Sequence, residues 1–261
     1  MTALRLLSLR DLTIEDERSF RHVGLYGELA SILAKSEYRF RVLPDGSNAS
    51  WDRAVFLNLT FWGAAGGGDV LIEPSILADV VAHVAWHHLA NAALVPAGAQ
   101  PSAEALFLGE AIASAFDIYL VGRLLGHAPE SSFLETQVPA MADCAEAAGV
   151  SASAFDALLA NVAANPERAF EDLRKLLFDA TCELFRAPSL DDAHAALVKF
   201  DDRPLGCLLH RHELSNWILF AKAYASRASE PDAQTIAVDR ELSAAPVSLE
   251  WLTKAWVDRA L

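Results

Sequence analysis

Basic residues are scarce in this chain: 21 Lys and Arg stand against 35 Asp and Glu, giving a net charge of −14 and a pI near 4.9. Binding a phosphate backbone needs clustered cations that displace counterions, so nucleic acid and anionic membrane surfaces are poor partners. Cysteine is scarce too. Cys144, Cys182 and Cys207 lie far apart, with no C-x-x-C pair and no even count for a disulfide framework, so a reducing cytoplasm is the expected compartment. Uninterrupted apolar runs are missing. Arg5, Arg10 and Asp11 break the N-terminal stretch before a signal-peptide core forms. No run reaches the roughly 20 apolar residues of a membrane helix. The segment around His83 comes closest, and it holds Asp79 and three histidines. No repeat and no low-complexity segment is evident.

What is present is a globular composition, with 53% apolar and 21% charged residues among 261. That length buries a substantial core, as one large domain or two ordinary ones.

The hydrophobic pattern gives an order of elements. Residues 4–14 alternate too loosely to separate strand from helix. Val23, Leu25, Tyr26, Leu29, Ile32 and Leu33 predict a helix over residues 22–35, and the period then changes to two, predicting a strand over 37–43. A turn at Pro44–Asn48 and a second strand over 53–62 complete a hairpin. Gly63 to Gly68 reads as a flexible connection, because no Lys-Ser, Lys-Thr or G-x-G-x-x-G accompanies its glycines. Asp69–Ile72 reads as a third strand. Glu73-Pro74-Ser75 reads as a helix start, with that helix running to Leu94 and another from Pro101 to Leu125. Beyond Pro129 the pattern predicts helices over 132–148, 153–164, 167–186, 190–200, 205–228 and 248–260, with a polar surface loop over 229–246. The fold class expected is α+β and mostly α: an α+β region over 1–127 with a small antiparallel sheet, and an α-helical region over 128–261 packed on it.

Chemistry concentrates in Asp79-Val-Val-Ala-His83-Val-Ala-Trp-His87-His88. Residues four apart share a helix face, so His83 and His87 can address one metal ion, whereas His88 is rotated by about 100°. The next helix offers Glu110, with Ser114 and Asp117 on the same face. Two histidines and a glutamate with an open fourth position form a known catalytic zinc set. Asp79 or Asp117 can accept a hydrogen bond from the far nitrogen of a ligating imidazole.

These residues resemble a known pattern. Asp79-Val-Val-Ala-His83-x-x-x-His87 is similar to the metal helix of the gluzincin metallopeptidases, thermolysin-like enzymes included, where it reads D-V-V-A-H-E-x-x-H. Glu110-Ala-Ile-Ala-Ser114 resembles their downstream N-E-A-I-S-D helix, and Asn58-Leu-Thr-Phe-Trp62 resembles their substrate-gripping edge strand. The resemblance covers about residues 50–120 and implies a zincin-like fold with zinc on His83, His87 and Glu110. Two positions depart from it. The general base after the first histidine is Val84, which takes no proton, and the aspartate four residues after the third ligand is Ser114.

A degenerate metallopeptidase site without conventional peptidase activity is therefore expected, with Asp79, His88 and Glu213 as candidate replacement bases. Three other readings stay open: an active metal-dependent hydrolase using one of those bases, a helical non-haem iron oxygenase, and a non-catalytic scaffold that binds peptide or protein. A di-iron site needs paired E-x-x-H motifs, and Asp191-x-x-His194 is solitary. His210-Arg211-His212-Glu213 can supply a substrate-stabilising His or Arg that reaches the metal, but reads more simply as an ordinary polar turn of the 205–228 helix; His22, His127 and His194 read as surface or cap residues, and the tryptophans as core anchors.

Overall fold

The computed structural model describes residues 4–43, 70–226 and 231–261. The turn at 44–48, the strand at 53–62, the Gly63–Gly68 connection and the Asn58–Trp62 segment lie outside the described residues.

The stretch over 4–14 resolves into two strands, β1 (Arg5–Leu7) and β2 (Thr13–Glu15), around a 3₁₀ turn at Leu9–Asp11. Two short helices follow, α1 (Glu17–Phe20) and α2 (Tyr26–Lys35); the second starts later than its periodicity predicts, after Leu25 takes a left-handed φ of 72°. Strands β3 (Phe40–Val42), β4 (Val70–Leu71) and β5 (Ser75–Leu77) complete the β structure among the described residues. Where an antiparallel sheet was expected, the three-stranded sheet is mixed and the two-stranded one is parallel. β1 pairs antiparallel with β3, β3 pairs parallel with β4, and β2 pairs parallel with β5. The Pro74-Ser75 helix start is also corrected: Ser75, Ile76 and Leu77 pair in register with Thr13, Ile14 and Glu15, and helix begins only at Ala78.

Helix α3 (Ala78–Leu94) carries the histidines and α4 (Ala103–Leu125) carries Glu110. α4 is the axis of the fold, packed by α3 on one side and by α7 (Pro166–Arg186) on the other. Apart from Glu110, Ser114 and Asp117 on the face toward α3 and Glu104 and Arg123 near its ends, it is apolar on every side, as a largely enclosed helix must be. By length and composition α4, rather than the His83 helix, is the helix among the described residues that is apolar enough to cross a membrane, and 89% of its most apolar window is buried within the fold. Gly122 permits its tight approach to the following helices, since a Cβ there would meet the Val162 carbonyl oxygen at 2.6 Å.

The remainder is helical: α5 (Ser132–Ala147), α6 (Ala152–Ala164), α8 (Leu190–Val198), α9 (Leu214–Tyr224), α10 (Ala233–Ala244), α11 (Ser248–Leu252), a π turn at Thr253–Val257 and α12 (Asp258–Ala260). One contiguous hydrophobic core runs from Leu9 to Val257. Trp86, Trp217 and Trp256 belong to it, as anchors should.

Two expectations fail in this half. The loop over 229–246 is largely α10. Asp232 accepts the amides of Gln234 and Thr235 at its start, and Asp239 meets the fully buried Arg174 at 2.7 Å. The continuous helix over 205–228 is instead a 3₁₀ segment, Gly206–His212, followed by α9, with the break at Glu213, whose φ is +46°.

Candidate metal centre

Three side chains converge where α3 meets α4. The approach is close because Gly109 lies against Ala90, where a Cβ would stand 3.2 Å from the alanine methyl. Glu110, the next residue, therefore reaches the histidine stripe of α3. Nε2 of His83 lies 3.2 Å from Nε2 of His87, His87 Nε2 lies 3.0 Å from Glu110 Oε2, and His83 Nε2 lies 3.7 Å from Glu110 Oε1. The site is enclosed, with His83 8% and Glu110 4% exposed.

Those separations fit a tetrahedral ion. Ligand atoms about 2.0 to 2.1 Å from zinc at tetrahedral angles stand about 3.3 to 3.4 Å apart. A second observation agrees with them. Glu110 Oε2 is fully buried and, among the described residues, has only its 3.0 Å approach to His87 Nε2 to offset that burial. Lone pairs aimed at a common point produce that geometry. Among the described residues, this is the group of three potential ligands that comes together.

Comparisons with known protein families, with curated proteins and with solved structures found no match. What the centre can do is therefore argued from its own atoms.

Electrostatics favours a cation between the three ligands. Burial pushes the Glu110 carboxyl up, yet His87 and His83 beside it hold it well below the usual carboxylate range. Burial works against protonation of His83, and the carboxylates of Asp117 and Glu110 outweigh it, lifting the imidazole well above its ordinary value. Asp117 Oδ2 lies 3.5 Å from His83 Nδ1, where it favours the tautomer that leaves Nε2 facing inward. Ser114 Oγ donates to Glu110 Oε1 over 3.4 Å. Asp79, in the first turn of α3, faces the same cavity; burial, then the Asp117 charge, pushes its carboxyl up to about 6.

Above the ligands opens a cavity of about 600 Å³. Val84 forms part of its wall, where the peptidase pattern has its base. The other two candidate bases are elsewhere. His88 packs edge-on against Tyr38, with ring centroids 6.4 Å apart, and Glu213 is exposed, accepts from Asn216 and borders a separate groove. His22, His127 and His194 are exposed, as expected.

Arg211 and His212, expected on an ordinary polar turn in preference to a substrate-stabilising role at the metal, stand at this site. The break at Glu213 ends the 3₁₀ segment so that both line a smaller cavity with Ser114 and Asp117, and Arg211 also borders the larger one. Burial, then the Arg211 charge, pushes His212 down to about 3, so it stands beside the centre as a neutral imidazole. Read on a continuous helix, His210-Arg211-His212 has no reason to turn inward; its one local signal is the concentration of cationic and imidazole groups in an acidic chain.

Proposed function

We propose that this chain is a zincin-like metal-binding protein in which His83, His87 and Glu110 hold a zinc ion, and that conventional H-E-x-x-H peptidase activity is absent or very weak. The observation that carries the reading is the convergence of the three ligand atoms at separations of 3.0 to 3.7 Å within a buried pocket. The order of elements also supports it, with small sheets first, the two-histidine helix next, and the glutamate on the helix after it. Kinship with gluzincins rests on the motifs at 79–87 and 110–114 together with that order.

A bound zinc ion would supply Lewis acidity and a lowered pKa for a coordinated water. The protein's own groups hold the ligands in place: Asp117 orients His83, Ser114 supports Glu110, and Gly109 lets the two helices meet. Val84 contributes apolar surface where proton transfer would be needed. General-base catalysis is worth about 10²- to 10⁴-fold, so its loss disables ordinary peptide hydrolysis.

One observation favours a second reading, an active hydrolase. Asp79 lines the cavity beside His83, and a carboxyl pushed up to about 6 exchanges protons near neutral pH.

Elemental analysis of protein purified without added metal, with zinc titration of the chelated protein, tests the proposal. Spectra of an iron-loaded sample separate zinc from iron, for which two histidines and one carboxylate are also a suitable set. Protease assays on casein comparing wild type with His83→Ala decide whether any hydrolysis survives.

A further inference from the structure

Among the described residues, the cavity above the three ligands contains a cation without an ion-pair partner. Arg211 borders it, half-buried, and its one side-chain hydrogen bond among the described residues goes to the neutral Oε1 of Gln137. Several other arginines of this acidic chain have carboxylate partners: Arg174 with Glu171 and Asp239, Arg123 with Glu167, Arg186 with Glu104, Arg203 with Asp179. Arg211 forms no such pair. Asp117 is near enough to act on its charge but makes no ion pair with it, and burial, the larger effect, disfavours that charge. A guanidinium carries five donors in a planar fork, so most of its hydrogen-bonding capacity remains open toward the cavity. Partly burying a charge without a partner is costly, and an anion in the cavity would relieve that cost.

The cavity walls define the rest of the ligand. Val70, Ile72, Ile76, Leu77, Val80 and Val84 make one side apolar, and about 600 Å³ suits a small molecule or the end of a peptide. Glu15, Glu73, Asp79 and Asp117 also face this space, which disfavours a second negative charge on the ligand. We infer that the cavity binds a monocarboxylate carried on an apolar body, with the carboxylate forked by Arg211 and the body against the Val70–Val84 wall. A fatty acid and the free C-terminus of an apolar peptide share that chemistry. The inference deepens the metal-site reading by placing this ligand beside His83 and His87, while the Arg211 anchor itself needs no ion.

Calorimetric titration tests it on the full chain, zinc-loaded and chelator-treated, with octanoate and N-acetyl-Phe-Leu as probes and octanamide and the peptide amide as neutral controls. Both carboxylates are expected to bind about 10- to 100-fold more tightly than their amides, the range for a hydrogen-bonded charge. Whichever carboxylate binds tighter identifies the source. Arg211→Gln is expected to lose the same factor with unchanged zinc content, and Arg211→Lys to retain part of it. The carboxylate-to-amide comparison on wild type stands even if a variant misfolds. Equal binding of acids and amides, no binding of either acid, or wild-type discrimination in Arg211→Gln would each overturn the inference. Failure to take up zinc with Arg211-dependent carboxylate binding intact would sink the metal reading alone, and normal zinc uptake without carboxylate preference would sink this one alone.

Discussion

Nε2 of His83 and Nε2 of His87 face each other at 3.2 Å across one turn of α3. With both rings protonated on Nδ1, two acceptors would point at one another, an arrangement that a shared proton or cation stabilises. Asp117 sits 3.5 Å from Nδ1 of His83 and biases that ring toward the inward-facing lone pair. Asp117→Asn is therefore expected to weaken zinc binding about 10- to 100-fold, the usual cost of losing an orienting carboxylate. Competition with a chromophoric chelator measures it, and unchanged affinity would show that Asp117 does not orient the ligand.

Val84 is 5% exposed and borders the cavity beside His83, at the position where the peptidase pattern carries its base. Val84→Glu is expected to raise zinc-dependent hydrolysis of casein by up to about 10²- to 10⁴-fold over wild type. The gain should disappear in the double variant Val84→Glu, Glu110→Ala. Hydrolysis that stays at the wild-type level in a folded, zinc-loaded Val84→Glu protein would contradict the role given to this position.

Arg174 is completely buried and binds Glu171 through Nε and Nη2 at 2.8 and 2.7 Å, and Asp239 through Nη1 at 2.7 Å. Asp239→Ala removes one carboxylate and leaves Glu171 in place, so a loss of about 2 to 3 kcal/mol is expected in urea unfolding. Asp239→Ala with wild-type stability would mean that this pair does not hold α10 onto α7.

How legible all this was depended on whether the cause was local. The pairing of His83 with His87 follows from helix periodicity, and Glu110 was located by its E-A-I-A-S surroundings. Three helix ends in the second half lie at Gly149, Pro166 and Pro188, as punctuation predicts. The misses have distant causes. Ser75–Leu77 resembles a helix start and becomes a strand because Thr13–Glu15 pairs with it. The 233–244 segment is too polar to read as a buried helix, and it is fastened by the Asp232 cap and the Arg174–Asp239 pair. Arg211 and His212 reach the centre only because the chain turns at Glu213, a left-handed residue that no glycine or asparagine announces.

Asp232 also joins two helix starts. It caps α10 and accepts from Ser102 Oγ at 2.7 Å, while Ser102 Oγ accepts the Ala105 amide of α4 at 2.9 Å. Burial raises the Asp232 carboxyl, but the Ser102 and Thr235 hydroxyls and the Thr235 and Gln234 amides together hold it below its ordinary value. A lowered folded-state pKa contributes stability that is complete above the unfolded value, near pH 4, and is lost as pH falls through the folded one. Asp232→Asn should thus lower the melting temperature at pH 6 and narrow its deficit toward pH 3. A deficit that is constant across that window would remove ionised Asp232 from the account.

The most direct test is metal stoichiometry. Chelator-treated protein titrated with zinc and analysed by inductively coupled plasma mass spectrometry should retain stoichiometric zinc after desalting. His83→Ala, His87→Ala and Glu110→Ala should each retain little, with far-ultraviolet circular dichroism unchanged. Wild-type protein that retains no zinc or iron, or single-ligand variants that retain as much as wild type, would contradict the assignment of His83, His87 and Glu110 as a metal centre.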